Sequence, residues 1–214
     1  MKNRMIFLCV AVSCSLALIT TWIANNNFLH YGEGDKLSSA SSSSTLEISD
    51  GDAISIPPMK REFSSPDGRH KFTVFTSDNW ASKKAKVKLV KITENSQILL
   101  WSKDLPHEYG PRHVIVNNQG RILLLDEWIN VPSNYAIVLL DSKGEIISQY
   151  SFDKLQRFLN ISRAEIVEKA KEGWWIASTP TLDTSSNASS VGVAGKLLTI
   201  HLNDGHITSS DLPL

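Results

Sequence analysis

The chain has 214 residues, of which 42% are apolar and 21% charged, and its formal net charge is zero. That composition is ordinary for a folded protein and excludes wholesale disorder. The neutrality hides a division: residues 25–54 carry one Lys against five acids, whereas residues 55–214 carry 19 Lys and Arg against 17 acids. So small an excess is no electrostatic footprint for nucleic acid, and no nucleic-acid partner is expected.

Lys2 and Arg4 precede an uncharged apolar run from Met5 to Ala24. Twenty helical residues span about 30 Å, the hydrocarbon thickness of a bilayer. A secretory signal has a shorter apolar region and a small-x-small cleavage site. Here Leu18, Ile19, Trp22 and Ile23 continue past the best such site, Ser15-Leu16-Ala17. Residues 1–24 are therefore read as a signal anchor or a signal peptide, with membrane contact through residues 5–24. The first cation after the run is Lys36, so the positive-inside rule leaves the rest of the chain outside the cytoplasm. The expected location is the inner (cytoplasmic) membrane, single-pass; cleavage would instead give a secreted or periplasmic protein.

Residues 25–54 read as a flexible Ser-rich linker, too poor in large apolar side chains to offset the entropy of ordering. Residues 55–214 read as a β-rich extracytoplasmic domain. Both cysteines, Cys9 and Cys14, fall in the apolar run, so that domain has no disulfide and no thiolate ligand. Its core alone must hold it.

Four stretches share one plan: SSPDGRHKFTVF (64–75), NNQGRILLLD (117–126), DSKGEIISQY (141–150) and NDGHITSS (203–210). Each sets polar turn residues and a glycine before a β-branched or apolar run, the grammar of antiparallel hairpins. KKAKVKLVKI (83–92) alternates Lys84, Lys86 and Lys88 with apolar residues and breaks step at Val90–Lys91, which predicts a bulge. It reads as an edge strand guarded by lysine, and its lysines form a small basic strip suited to an anionic envelope polymer or a lipid headgroup. HVIV (113–116) and RILLLD (121–126) form a strand pair around NNQG. Ile122 and Leu124 on one face with Leu123 and Leu125 on the other predict a strand buried between two layers.

Two short helices are expected. Phe152, Leu155 and Leu159 share a face in the first. Ser162 and Glu165 make a capping box for the second, with Gly173 at its C-terminal stop. Trp174-Trp175-Ile176 reads as extended chain with one indole in the core. Residues 179–196 read as a long Ser/Thr/Gly loop.

The polar residues around 104–128 invite a chemical reading. His107 and His113 are six apart with Gly110-Pro111 between them, which is not a helical zinc spacing, and no metal or other cofactor is expected. Asp126 and Glu127 are neighbours on a strand, facing opposite ways, so they are not an acid–base pair. No catalytic residue is assigned. His107, Glu108, Tyr109, Arg112, Asp126 and Trp128 remain as candidate binding residues, with His113 and Asp126 expected at solvent-facing strand ends. The alternatives are a hydrolase that gathers Asp104, Glu108 and Asp126 in a deep pocket, or a carbohydrate-binding module using Trp128 or the Trp174/Trp175 pair.

SSPDGRHKFTVF resembles the S-P-D-G-[RK] turn of WD40-like, TolB-type β-propeller blades, and NNQGRILLLDEW and DSKGEIISQY echo it more loosely. The resemblance implies an antiparallel meander of four-stranded blades, a scaffold used mainly for binding, here in a bacterial envelope protein. At about 40–45 residues per blade, residues 60–214 hold about three, fewer than the four to eight of a closed ring. The fold expected is thus mainly β: propeller-like blades or an open β-sandwich with one or two short helices. A protein or envelope-polymer partner is expected to engage it.

Overall fold

The computed structural model describes residues 55–212, and the expected anchor and most of the linker lie outside them. Among the described residues no helix is long and apolar enough to cross a membrane.

Twelve strands form three antiparallel sheets, each a meander in chain order. Sheet 1 is β1 (Lys60–Ser64), β2 (His70–Phe75), β3 (Lys84–Ile92) and β4 (Gln97–Glu108). Sheet 2 is β5 (Pro111–Val116), β6 (Ile122–Glu127), β7 (Ile137–Leu140) and β8 (Ile146–Tyr150). Helices α1 (Phe152–Leu159) and α2 (Arg163–Lys169) follow. Sheet 3 is β9 (Thr181–Asp183), β10 (Ala188–Val193), β11 (Lys196–His201) and β12 (Ile207–Asp211).

The four repeated stretches all fall at hairpins, and Gly68, Gly120, Gly144 and Gly205 all have φ between 70° and 86°, where a side chain would clash with its own backbone. Two turns are chemically alike. Asn117 Oδ1 accepts from the amides of Gln119 and Arg121, and Asp141 Oδ1 accepts from those of Lys143 and Glu145. The turns also bind the sheets together at one end. The Asp67 amide donates to Asn118 Oδ1 at 3.1 Å, and Asn117, Asn187 and Asn203 form a ladder of 2.8 Å side-chain bonds.

Sheet 2 is buried on both faces, as its double-sided apolar pattern predicts. Ile122, Leu124, Val138 and Leu140 pack with Phe72, Val74, Val87 and Leu89 of sheet 1. Leu123, Leu125, Ile137 and Leu139 pack with α1, Trp175, and Val191, Leu198 and Ile200 of sheet 3. Phe152, Leu155 and Leu159 are the buried stripe of α1, and the Ser162 hydroxyl caps α2 by accepting from the Glu165 amide.

Four expectations are corrected. The Lys-rich strand β3 is interior, paired with β2 and β4; its lysines lie on the outward face of sheet 1 while Ala85, Val87 and Leu89 face the core. Period-two patterning reports which face is wet and says nothing of which edge is free. A register shift does fall between Leu89 and Val90, but its extra residue is Leu100 of β4 rather than one of β3. Residues 179–196 are no loop but β9, β10 and the start of β11. Ser189 and Gly192 are buried in β10, where small residues let Ser178 and the next layer approach. Residues 174–176 are irregular rather than a strand, with Trp175 fully buried.

Leu124→Ala and Leu125→Ala empty different cores, so each should cost about 2–5 kcal/mol. The double variant should depart from the sum by about 0.5–3 kcal/mol, because the two residues are neighbours on one strand and couple through its backbone. Urea denaturation of the three variants checks both points.

Candidate functional site

At the end of the stack opposite the hairpin turns, the polar residues singled out from sequence converge only in part. Arg112, Asp126 and Trp128 meet, joined by Arg61 of β1, which sequence reasoning missed. Arg61 Nη1 and Nη2 donate to the carbonyls of Arg112 and Pro111 at 3.1 and 2.5 Å. Its guanidinium lies 4.8 Å from the Trp128 ring centre, and that of Arg112 lies at 5.4 Å. Arg112 Nη2 in turn donates to the Trp128 carbonyl and, at 2.9 Å, to Asn130 Oδ1. Burial, with the neighbouring Arg112 charge, lowers the Arg61 pKa to about 10. The Trp128 indole donates to the Ser55 carbonyl at 2.5 Å.

Asp126 is fully buried, which corrects its expected place at a wet strand end. It sits at φ 59°, a left-handed conformation that turns its carboxyl away from the strand. Oδ2 accepts from the Trp174 amide at 2.6 Å and Oδ1 from the Glu127 amide at 3.0 Å. Burial raises its pKa to about 7 despite those two amides and the nearby Arg112. Gly173, expected to stop α2, has a different duty. Helix α2 ends at Ala170, and a Cβ at Gly173 would lie 2.3 Å from Asp126 Oδ2. Glycine is there because carboxylate and guanidinium leave no room for more.

Glu127 faces elsewhere, accepting from the Ser133 hydroxyl at 2.5 Å, and burial raises its pKa too. The two adjacent carboxyls thus bond different partners, as their strand positions require. His113 is half-buried and bonds the Glu172 carbonyl at 2.8 Å; burial lowers its pKa.

His107 is buried in β4 with its ring 5.3 Å from that of Tyr135. The Tyr135 backbone is its nearest polar stabiliser, but neither ring nitrogen has a partner at hydrogen-bonding geometry. Desolvation lowers its pKa to about 4. Tyr109 packs on Trp80. Glu108 is exposed on the wall of a groove of about 530 Å³, lined by residues 82–84 and 104–108. Asp104 also lines that groove, whereas Asp126 is buried against Gly173 and Arg112. Among the described residues no set of three His, Cys, Asp or Glu side chains could hold a metal ion.

Chemically, the arginine–tryptophan–carboxylate cluster is a clamp. Its carboxylate and guanidinium groups bond backbone atoms of Pro111, Arg112, Glu127, Trp128 and Trp174, while Arg61 Nε and Arg112 Nε are buried without a partner. Nothing in the spacing of KREFS (60–64) pointed to Arg61, because its partners come from a strand 50 residues away. Compared with known protein families and with curated proteins, the sequence finds no match.

The buried groups make a pH prediction. Between pH about 4 and 7, unfolded Asp126 ionises while folded Asp126, with a pKa near 7, holds its proton, so its contribution to stability falls as pH rises. Over nearly the same interval unfolded His107 loses its proton while folded His107 is already neutral, so its contribution rises. Glu127 adds to the first trend; His70 and His113 add to the second. The sum should be a stability nearly flat from about pH 4.5 to 6.5, each proton being worth at most about 1.4 kcal/mol per pH unit. Asp126→Asn should make stability climb with pH, and His107→Gln should make it fall. Denaturant midpoints across that range check this, and identical profiles for both variants would contradict it.

Proposed function

We propose that this chain is a membrane-tethered or secreted binding domain of the cell envelope, held outside the cytoplasm, that works by recognition rather than catalysis. The observation that carries the reading is the separation of its two polar regions. The buried carboxyl with a raised pKa is locked onto amides within the clamp. The open groove is lined by Lys83, Lys84, Asp104 and Glu108, beside the outward lysines Lys86 and Lys88. A carboxyl so held and so enclosed lacks access to a substrate proton, which a general base must reach.

The scaffold reading is a propeller-like array rather than an open sandwich. Three successive four-stranded meanders, with β1 and β5 side by side, support it. The basic strip of Lys84, Lys86 and Lys88 suits an anionic envelope polymer, because an extended row of ammonium groups on a sheet face matches a polyanion without requiring one fixed pose. Of the tryptophans in the carbohydrate alternative, Trp128 and the half-buried Trp174 remain. Trp175 is fully buried, and the Trp128 ring already carries two guanidinium groups.

Two measurements test the reading. Tagged full-length chain should sediment with membranes, resist a carbonate wash, and be digested by protease added outside the cell membrane. Deletion of residues 5–24 should release it. Recovery of the intact chain in the cytosol overturns the tether. For the ligand, purified full-length chain should co-sediment with isolated anionic wall polymer. Lys84→Glu with Lys88→Glu should weaken retention about tenfold while Lys196→Glu, on sheet 3, leaves it unchanged; equal loss for both would remove the strip from the account.

A further inference from the structure

We propose that the groove between β3 and β4 binds a free α-amino acid with an apolar side chain. Lys83 and Lys84 take its carboxylate, Glu108 takes its ammonium, and Leu105 and Pro106 face its side chain. The groove follows from how the two strands part. Lys84 stands opposite Glu108 and Lys86 opposite Asp104, so Leu105, Pro106 and His107 together face the single residue Ala85. Two extra residues bend β4 locally out of the ladder, and Pro106 has no N–H with which to close the gap. Residues from both sides of this opening line the groove, and its volume of about 530 Å³ is that of a small-molecule site.

The charges around it are unspent. Lys86 and Asp104, the next cross-strand pair, meet at 3.7 Å. Lys84 and Glu108 are also direct cross-strand partners of opposite sign, yet they form no ion pair with each other. Among the described residues neither of them, nor Lys83, has an oppositely charged group within 4 Å. A simple anion in this groove would meet Glu108, and a simple cation would meet the lysines. A ligand carrying both signs on neighbouring atoms satisfies all three side chains, and an α-amino acid is the smallest that does.

The lysine end is fixed in advance. Lys83 sits at φ 59°, a left-handed conformation uncommon in residues other than glycine, asparagine and aspartate. Its amide donates to the Trp80 carbonyl at 3.0 Å, and its carbonyl accepts from the Tyr109 amide at 2.8 Å. Asp78 ties the same turn, accepting from the Thr76 hydroxyl and the Ser82 amide. Strain of this kind persists where the surroundings impose it, and it gathers at binding sites. His107 is a second sign. It is 1% exposed and neither ring nitrogen has a partner; of the described residues with such buried, unpartnered atoms it alone lines the groove. A buried polar group without a partner needs a reason, and a carboxylate drawn into the groove brings an acceptor toward it. The inference rests on the recognition reading above and needs neither the tether nor the basic strip.

Calorimetry on the purified full chain in detergent tests it with L-leucine, with N-acetyl-L-leucine, which lacks the ammonium, and with L-leucinamide, which lacks the carboxylate. Leucine should bind about tenfold more tightly than either, since each analogue loses a charge-assisted contact. It should also bind more tightly than glycine, which has nothing to set against Leu105 and Pro106. Glu108→Gln should weaken leucine about tenfold and leave N-acetyl-leucine unchanged, and Lys84→Gln should weaken leucine and leave leucinamide unchanged. Lys83→Asn should raise the urea midpoint, asparagine tolerating the left-handed backbone, while weakening leucine several-fold. No binding of leucine at millimolar concentration, equal affinity across the probes, or a Glu108→Gln variant that weakens leucine and its acetylated form alike would overturn the proposal. Lys88 lies on the strip and outside the groove, so Lys88→Glu separates the two readings. It should reduce polymer retention and leave leucine binding unchanged; retention that survives it removes the strip while the groove stands, and leucine binding lost with it removes the groove.

Discussion

Burial of one sheet on both faces is the constraint from which the rest of this molecule follows. A β-sheet with a single apolar face needs one covering layer; a sheet apolar on both needs two, one on each side. Six consecutive residues of β6, Ile122 to Glu127, are buried, and no arrangement of fewer than three layers could enclose them. Sheet 1 therefore supplies one cover, while sheet 3 and helix α1 supply the other. The outer layers behave differently. Sheet 1 turns Lys60, Glu62, Lys86 and Lys88 outward, and sheet 3 turns out Ser190, Thr199 and Thr208. Stacked arrays end in such polar faces when no further layer is to be added.

The same constraint accounts for the clamp. Where β6 runs on past its apolar residues, Asp126 and Glu127 are carried into the interior by the layers around them, and a buried carboxyl must find donors or stay protonated. Asp126 does both: it accepts from two amides, and its pKa still rises to about 7. Arg61 and Arg112 fill the remaining space against Trp128, spending their donors on carbonyls at a seam between sheets that no ladder satisfies. Polar residues that read as a possible active site from sequence are thus what a layered fold needs where its strands end.

Local chemistry was the legible part of the sequence. The four hairpin turns, both helices, the Ser162 cap and the two-faced burial of β6 all depend on residues within a few positions of one another. What failed to show was decided by distant partners. The lysines of β3 look the same on an edge strand or an interior one, because alternation reports only the wet face. The serines and glycines of 179–196 mimic a loop, since the reason for their small size is the layer packed upon them. Gly173 has the right place for a helix stop, and only Asp126, 47 positions away, reveals its real function. Of the six candidate residues, Arg112, Asp126 and Trp128 come together, whereas His107 and Glu108 lie at the groove and Tyr109, where the chain leaves the strand at φ 56°, packs on Trp80.

Faces and edges pose separate problems to a β protein, and here they are solved to different degrees. Polar side chains close both outer faces, so association by stacking would bury charges and hydroxyls for little apolar gain. Edges expose backbone donors and acceptors whatever their side chains, and they are safe only when short, charged, kinked or covered. Most edges here meet one of those conditions. The first half of β4 is broken by the register shift that leaves Leu100 without a partner on β3, and Lys103, Asp104 and Pro106 stand in the second half of the same strand. A bulge among its apolar residues and charge and proline beyond them leave this long strand without an unbroken, unguarded run along its edge.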